Sequence, residues 1–165
     1  MEKLKFLENE KAYEIFMGWR KELSKYTAAR AALRRARTPL DVEQVGFYHA
    51  LVRRLRDAGY EVNSYNRDRI AVAAALVSRI KTHSGKDTFA AQMSKQRNRR
   101  PLVSPMRLKR ILAAEEYEDI LRELTSAIRI MEERGNIADL AESMINWSDQ
   151  ARRNWLYRYY GNNDI

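Results

Sequence analysis

Hydrophobic positions recur along nearly the whole chain three and four residues apart, the period of a helix that buries one face. Alternation at period two, which a half-buried strand requires, never develops. Tyr13, Phe16, Trp19 or Arg20, and Leu23 trace a first helix over about residues 9 to 24. Ala29, Ala32, Leu33 and Ala36 make one small apolar stripe on a second, predicted over 27 to 37. Thr38, Pro39 and Asp41 then supply an N-cap, a proline at the first helical position and an acid at the third, which start a short helix into Val45. Beyond Gly46, the stripe Tyr48, Leu51, Val52 and Leu55 runs until Gly59. Between residues 66 and 82, Ile70, Ala73, Ala74, Val77 and Ile80 give the most apolar helix, expected at the centre of a bundle.

The segment THSGKDT at 82 to 88 breaks the periodicity and is the natural junction between an N-terminal unit, 1–82, and a C-terminal unit, 83–165. A short helix over 88 to 94 leads into KQRNRRPLV, expected to be an irregular loop. Ser104 with Pro105 repeats the cap-then-proline start and opens a helix through Leu112. Tyr117, Ile120, Leu121, Leu124, Ile128 and Met131 mark a long amphipathic helix that stops at Gly135. Asn136 caps the next, with Leu140, Met144 and Trp147 inward, and a last helix spans about 149 to 160. With 3 prolines and 6 glycines to interrupt them, these helices define the predicted class: all-α, about eight or nine helices in two small helical bundles.

Composition narrows the setting. Hydrophobic residues are 45% of the 165, enough for a packed core, and cysteine is absent, which removes disulfides and thiolate chemistry together. The N-terminus MEKLKFLENEKAYE mixes both charges and has no apolar core, so no secretory leader is expected in it. No apolar run approaches the roughly 20 residues of a membrane span. The expectation is a soluble, cytoplasmic protein without a membrane partner. The net charge of +9 conceals a strong segregation. Residues 19 to 110 hold 22 Lys/Arg against 7 Asp/Glu, whereas residues 115 to 149 hold 3 against 10. Such asymmetry suits a polyanion on the basic part and protein on the acidic part.

The basic residues are themselves patterned. Arg30, Arg34 and Arg37 recur at helical spacing on a face distinct from the alanine stripe, with Arg35 at its flank and Lys25 just upstream. No acid lies between Glu22 and Asp41 to pair with them. A row of guanidinium forks on a rigid helix can grip phosphate oxygens at two points each. Three further groups follow: Arg53 and Arg56 with Arg54 alongside; Lys95, Arg97, Arg99 and Arg100 in the basic loop; Arg107 and Arg110 around Lys109. No helix-turn-helix, zinc finger or strand platform accompanies them. Tyr13, Phe16, Trp19, Phe47, Trp147 and Trp155 fall on apolar stripes and read as core. Binding would therefore address the sugar–phosphate backbone, by counterion release, nearly blind to sequence.

Catalytic chemistry finds no footing. His49 reads as a surface or structural residue, and His83 near Asp87 is too sparse a pair to carry a mechanism. Arg79 and His83 stand one residue closer than in helical ribonucleases that pair Arg with a His. There is no Glu-x-x-His pair for a di-iron site, and the isolated glycines form no phosphate-cradling loop. Glu115, Glu116, Glu118 and Asp119 sit where they complement the positive end of a helix dipole. The reading is a non-enzyme without metal or cofactor. A helical nuclease is the competing class, and a freestanding nucleic-acid-binding protein is the nearer alternative.

The succession of segments resembles the CasB family, the small subunit of the type I-E CRISPR Cascade surveillance complex. The resemblance rests on RAALRRARTP at 30 to 39, FYHALV at 47 to 52, AAALVSRI at 73 to 80, TFAAQM at 88 to 93 and SPMRLKRILAA at 104 to 114. It closes with NIADLAESMINW at 136 to 147 and ARRNWLYRYY at 151 to 160. It implies a non-catalytic helical subunit, present as two copies, that contacts guide RNA and both strands of target DNA and helps hold the R-loop open. Other Cascade subunits and a second copy of the chain would be its protein partners, with the acidic helix from Glu115 to Glu133 available to basic neighbours. Arg30, Arg34, Arg35 and Arg37 stand inside the best-matched motif, and Arg107 and Arg110 in a matched helix. Arg97, Arg99 and Arg100 rest on charge alone.

Overall fold

The structure, a computed structural model, describes residues 10–161. The first nine residues, on which the reading of the N-terminus rests, lie outside the described residues. Among those described, ten helices follow one another: α1 (Glu10–Leu23), α2 (Thr27–Arg35), α3 (Pro39–Glu43), α4 (Gly46–Asp57), α5 (Arg67–Val77), α6 (Phe89–Met93), α7 (Pro105–Ala113), α8 (Tyr117–Ile130), α9 (Ile137–Ile145) and α10 (Asp149–Tyr159). The fold is all-α, as the periodicity requires.

Helix α5 is its axle. Every residue from Ile70 to Ile80 is buried, so the helix is enclosed on all sides rather than along one stripe. Its four alanines between 71 and 75 present little bulk, and α9, α8, α3 and α2 all pack onto it. On α9 the buried set is Ile137, Ala138, Leu140, Ala141, Met144 and Ile145. Around this axis α1 lies against α4, α9 and α2; α7 lies against α8; and α6 lies against α10 and α9. The buried residues form one cluster that runs from Ala12 to Tyr159. Each fully enclosed Leu or Ile contributes about 1.5–3 kcal/mol through removal of apolar surface from water.

The caps predicted at Thr38, Ser104 and Asn136 are formed, and Ser148 and Thr88 supply two more. Thr38 Oγ1 accepts from the amide of Asp41 at 3.1 Å, and Asp41 Oδ2 accepts in return from the amide of Thr38 at 3.2 Å. Ser104, Asn136 and Ser148 cap α7, α9 and α10 in the same way, through the amides of Arg107, Asp139 and Ala151. Thr88 caps α6 through the amide of Ala91.

Three features of the fold depart from the sequence reading. The basic loop is ordered, as strands β2 (Gln96–Arg97) and β3 (Arg100–Pro101) pair antiparallel across Asn98 and Arg99. Both loop residues are left-handed, at φ 53° and 66°, as a two-residue hairpin turn of matching twist requires. The junction segment also carries a strand, β1 (Thr82–His83), which pairs parallel with β4 (Arg134–Gly135). Gly135 packs closely there: a Cβ would stand 3.1 Å from the Phe89 ring. Buried Gln92 locks this corner, donating to Ser84 O at 3.0 Å and Lys86 O at 2.7 Å while accepting from the Asn136 amide at 2.8 Å. Tyr13, read as core, is 37% exposed, because α1 turns Phe16 and Trp19 inward instead.

Candidate nucleic-acid interface

The arginine helix is shorter than its periodicity suggests. Ala36 turns to φ −60°, ψ 134°, so α2 ends at Arg35 and the chain swings into the cap of α3. Arg37 therefore leaves the helical row, with its amide bound to Asp41 Oδ2 at 3.0 Å. Those amide bonds, that of Arg37 foremost, hold the Asp41 carboxyl below its ordinary pKa. Within α2, successive residues are about 100° apart, which places Arg30 and Arg34 beside buried Leu33 and Arg35 nearly opposite it. Arg30 and Arg34 are accordingly half-buried, whereas Arg35 and Arg37 are exposed.

Two buried arginines stand close to this helix, and one of them, Arg79, binds carbonyls at its C-terminal end. Arg79 is 6% exposed; its Nη1 donates to Leu33 O at 3.1 Å and to Ala75 O, and its Nη2 donates to Ala36 O at 2.7 Å. Arg20 is 5% exposed; its Nε donates to Val77 O at 2.9 Å, its Nη2 to Ile80 O, and its Nη1 to Ser24 Oγ at 3.2 Å. Both side chains thus bind carbonyls at the C-terminal ends of helices, where the helix dipole favours a cation. Burial lowers each guanidinium pKa to about 10. Neighbouring cations add to the shift: Arg30 and Arg34 for Arg20, and Arg34 for Arg79. The Nε atoms of Arg30 and Arg79 are buried without a hydrogen-bond partner. The base of α2 is therefore a concentrated positive site.

The expectation that the arginine row lacks acidic partners is corrected at one position. Arg34 pairs with Glu133, which lies 99 residues further along, and Lys81 Nζ reaches the other oxygen of that carboxylate at 3.2 Å. Glu132, next to it, receives Arg97 Nη2 of the hairpin at 3.1 Å. Adjacent Cα atoms are about 3.8 Å apart across a trans peptide, so one turn of chain brings α2 and the hairpin to the same place. Glu132 and Glu133 are both left-handed, at φ 60° and 58°. That conformation costs a non-glycine residue roughly 1–3 kcal/mol, and the surrounding contacts hold it.

The other predicted groups are dispersed. Arg53 and Arg56 ride on α4, which packs on α1 and α3; Arg107 and Arg110 ride on α7, which packs on α8. Arg56 Nη2 donates to Val62 O at 2.6 Å, and Arg54 pairs with Glu22. Lys25, Arg53, Arg99, Arg100 and Arg110 are exposed, Arg107 is half-buried, and none of the six has a carboxylate partner among the described residues. The structure thus brings Arg34 of α2 and Arg97 of the hairpin to one acidic turn, and leaves the α4 and α7 groups on other elements.

The histidines serve local structure. His49 Nε2 lies 2.7 Å from Glu43 O, and His83 Nδ1 accepts from the Ile137 amide at 3.1 Å, which completes the start of α9. Burial lowers the His83 pKa and so favours the neutral ring that can accept. Among the described residues, no helix is long and apolar enough to cross a membrane, and no group of three or more His, Asp or Glu side chains could hold a metal ion.

Three comparisons with known proteins bear on this arrangement. No curated protein matches the sequence. The crystal structure of CasB from Thermus thermophilus is similar in fold, with a TM-score of 0.67, 23% identity, and coverage of 90% of this chain and 97% of that one. The sequence model of the family described as CRISPR-associated protein Cse2 matches residues 29–160. The match begins just before Arg30 and ends at Tyr160, taking in all the predicted arginines and both elements that meet at the acidic turn. The chain belongs to the Cse2, or CasB, family.

Proposed function

We propose that this chain is the non-catalytic small subunit of a Cascade surveillance complex, where it holds guide RNA and target DNA by their backbones and keeps the R-loop open. Family membership supports the assembly. One observation carries the nucleic-acid part: Lys25, Arg35, Arg37, Arg53, Arg99, Arg100 and Arg110 are exposed and lack carboxylate partners among the described residues. Among the described residues no side-chain ion pair occupies these cations, so their charged groups are available to phosphate.

The energetics suit a passive role. Exchanging DNA duplex for RNA–DNA hybrid is nearly balanced, so modest backbone contacts shift the equilibrium toward the open state. Cationic surface along a displaced strand opposes its re-annealing. The role includes two copies per complex and a cytoplasmic setting, and needs no cofactor or metal.

The test is reconstitution with guide RNA and the remaining Cascade subunits. Complex assembled with wild-type chain should leave the displaced strand reactive to permanganate at unpaired thymines for longer than complex lacking the chain. The quadruple variant R35A/R37A/R99A/R100A should assemble but shorten that lifetime. Equal lifetimes with and without the chain would refute R-loop stabilisation. Failure to co-purify with the other subunits, despite RNA binding, would instead favour a freestanding RNA- or DNA-binding protein. Cleavage of labelled RNA or DNA by the purified chain would overturn the non-catalytic reading.

A further inference from the structure

We propose that the Glu132 and Glu133 carboxylates are internal stand-ins for phosphate: they occupy part of the basic surface in the free protein, and their side chains are displaced when a nucleic-acid backbone binds. The proposal rests on the nucleic-acid reading above and adds how that surface is kept occupied and released.

The acids hold cations that adjoin those on which that reading relies: Arg34 precedes Arg35 on α2, and Arg97 shares the hairpin with Arg99 and Arg100. Glu133 is shared by Arg34 of α2 and Lys81, while Glu132 holds Arg97 of the hairpin. Two basic groups far apart in sequence are thus bridged by one pair of neighbouring acids. A carboxylate offers two acceptor oxygens to a guanidinium fork, as a phosphate does. The occupant is also incomplete. Arg20, Arg30, Arg79 and Lys81 surround Arg34 closely enough for Arg30 and Arg34 to depress the pKa of Arg20, and for Arg34 to depress that of Arg79. A single Glu133 carboxylate leaves this site positive. A phosphodiester carries the same single charge as a carboxylate, but successive nucleotides of a strand bring further charges to the neighbouring cations that the two acids do not reach.

The backbone points the same way. Glu132 and Glu133 are consecutive left-handed residues, a conformation that glycine adopts without strain. A glycine would shape the turn more easily, but only a carboxylate can engage Arg34 and Arg97. The ion pairs are partly exposed, with side-chain exposures of 34% and 26% at Arg34–Glu133 and 58% and 69% at Arg97–Glu132. They are therefore weak enough to exchange for an external anion. Once released, both carboxylates can turn to solvent without unfolding α8.

The experiment measures binding of the purified chain to a fluorescent single-stranded oligonucleotide as salt is varied, alongside three variants. E132Q/E133Q removes both charges with little change in shape. E115Q/E116Q makes the same change in net charge at exposed acids that hold no ion pair among the described residues. R35A/R37A removes exposed arginines outside the acidic turn. E132Q/E133Q should bind roughly fivefold more tightly than E115Q/E116Q, the factor that release of a few exposed ion pairs supplies. Its salt slope should steepen by about 0.7 for each extra phosphate engaged. The variant E132G/E133G removes the same charges and relieves the left-handed strain, so it keeps the fold and should bind tightly too.

Equal affinity and slope for E132Q/E133Q and E115Q/E116Q, with R35A/R37A weakened, would overturn the stand-in and leave the nucleic-acid reading intact. Absence of binding by every form, or a wild type indistinguishable from R35A/R37A, would overturn both.

Discussion

Replacing Arg79 with Met probes how the arginine helix is held. The substitution keeps an unbranched apolar stem of similar length and removes the guanidinium that bonds Leu33 O, Ala75 O and Ala36 O. Two opposing terms result. The lowered pKa, about 10 against 12.5, means that burying this cation costs about 3 kcal/mol, which Met no longer incurs. Against that, three charge-assisted bonds of roughly 1.5–3 kcal/mol each are lost, and carbonyls at the ends of α2 and α5 are stranded. The balance is a net destabilisation of about 1.5–6 kcal/mol, or a fall in Tm of roughly 3–24 °C for a chain of this size. Arg79→Ala adds a cavity and should be worse. Urea unfolding followed by far-UV circular dichroism, with m unchanged, reads the difference. Arg79→Met at or above wild-type stability would show that the guanidinium does not hold the ends of α2 and α5 together, and would remove the support assigned to Arg34 and Arg35.

Two further substitutions test other parts of the fold. Gly135→Ala places a Cβ about 3.1 Å from the Phe89 ring at the packed β1–β4 corner, and should cost about 1–3 kcal/mol by overpacking, read by the same urea titration. His83→Ala removes the neutral ring that accepts from the Ile137 amide. Because the folded pKa of His83 lies below that of the unfolded chain, wild-type stability is fully present above about pH 6.5 and declines as pH falls toward the folded pKa. The variant should lack that part of the pH dependence, with a loss at neutral pH of about 1 kcal/mol; parallel curves for the two proteins would contradict the cap.

Much of the fold was legible in the sequence because it follows from local rules. Thr38-Pro39-Asp41 and Ser104-Pro105 place helix starts within a residue, and the unbroken apolar run from Ile70 fixes α5 as the enclosed helix. What escaped depends on contacts that leave no periodic trace. Glu133 gives no sign, 99 positions away, that it pairs with Arg34. The basic hairpin hides because Arg99 fills a left-handed position where glycine would have announced the turn. Arg37 looked like a third member of the row, and only the extended backbone at Ala36 removes it. Arg20 and Arg79 could have been suspected, since Arg20 shares the stripe of Phe16 and Leu23 and Arg79 ends the most apolar helix. A cation in such a place signals carbonyls to bind. The four basic groups were visible as charge, but their unequal exposure was not.

The central claim is that exposed, uncompensated arginines bind backbone irrespective of base sequence. The most direct measurement is the slope of log K against log salt for single strands of unrelated sequence, with wild type and R35A/R37A/R99A/R100A. Equal affinities across sequences and a slope that falls by about 0.7 for each lost phosphate contact are the predicted result. A folded quadruple variant with an unchanged slope, or affinities that follow the base sequence, would contradict it.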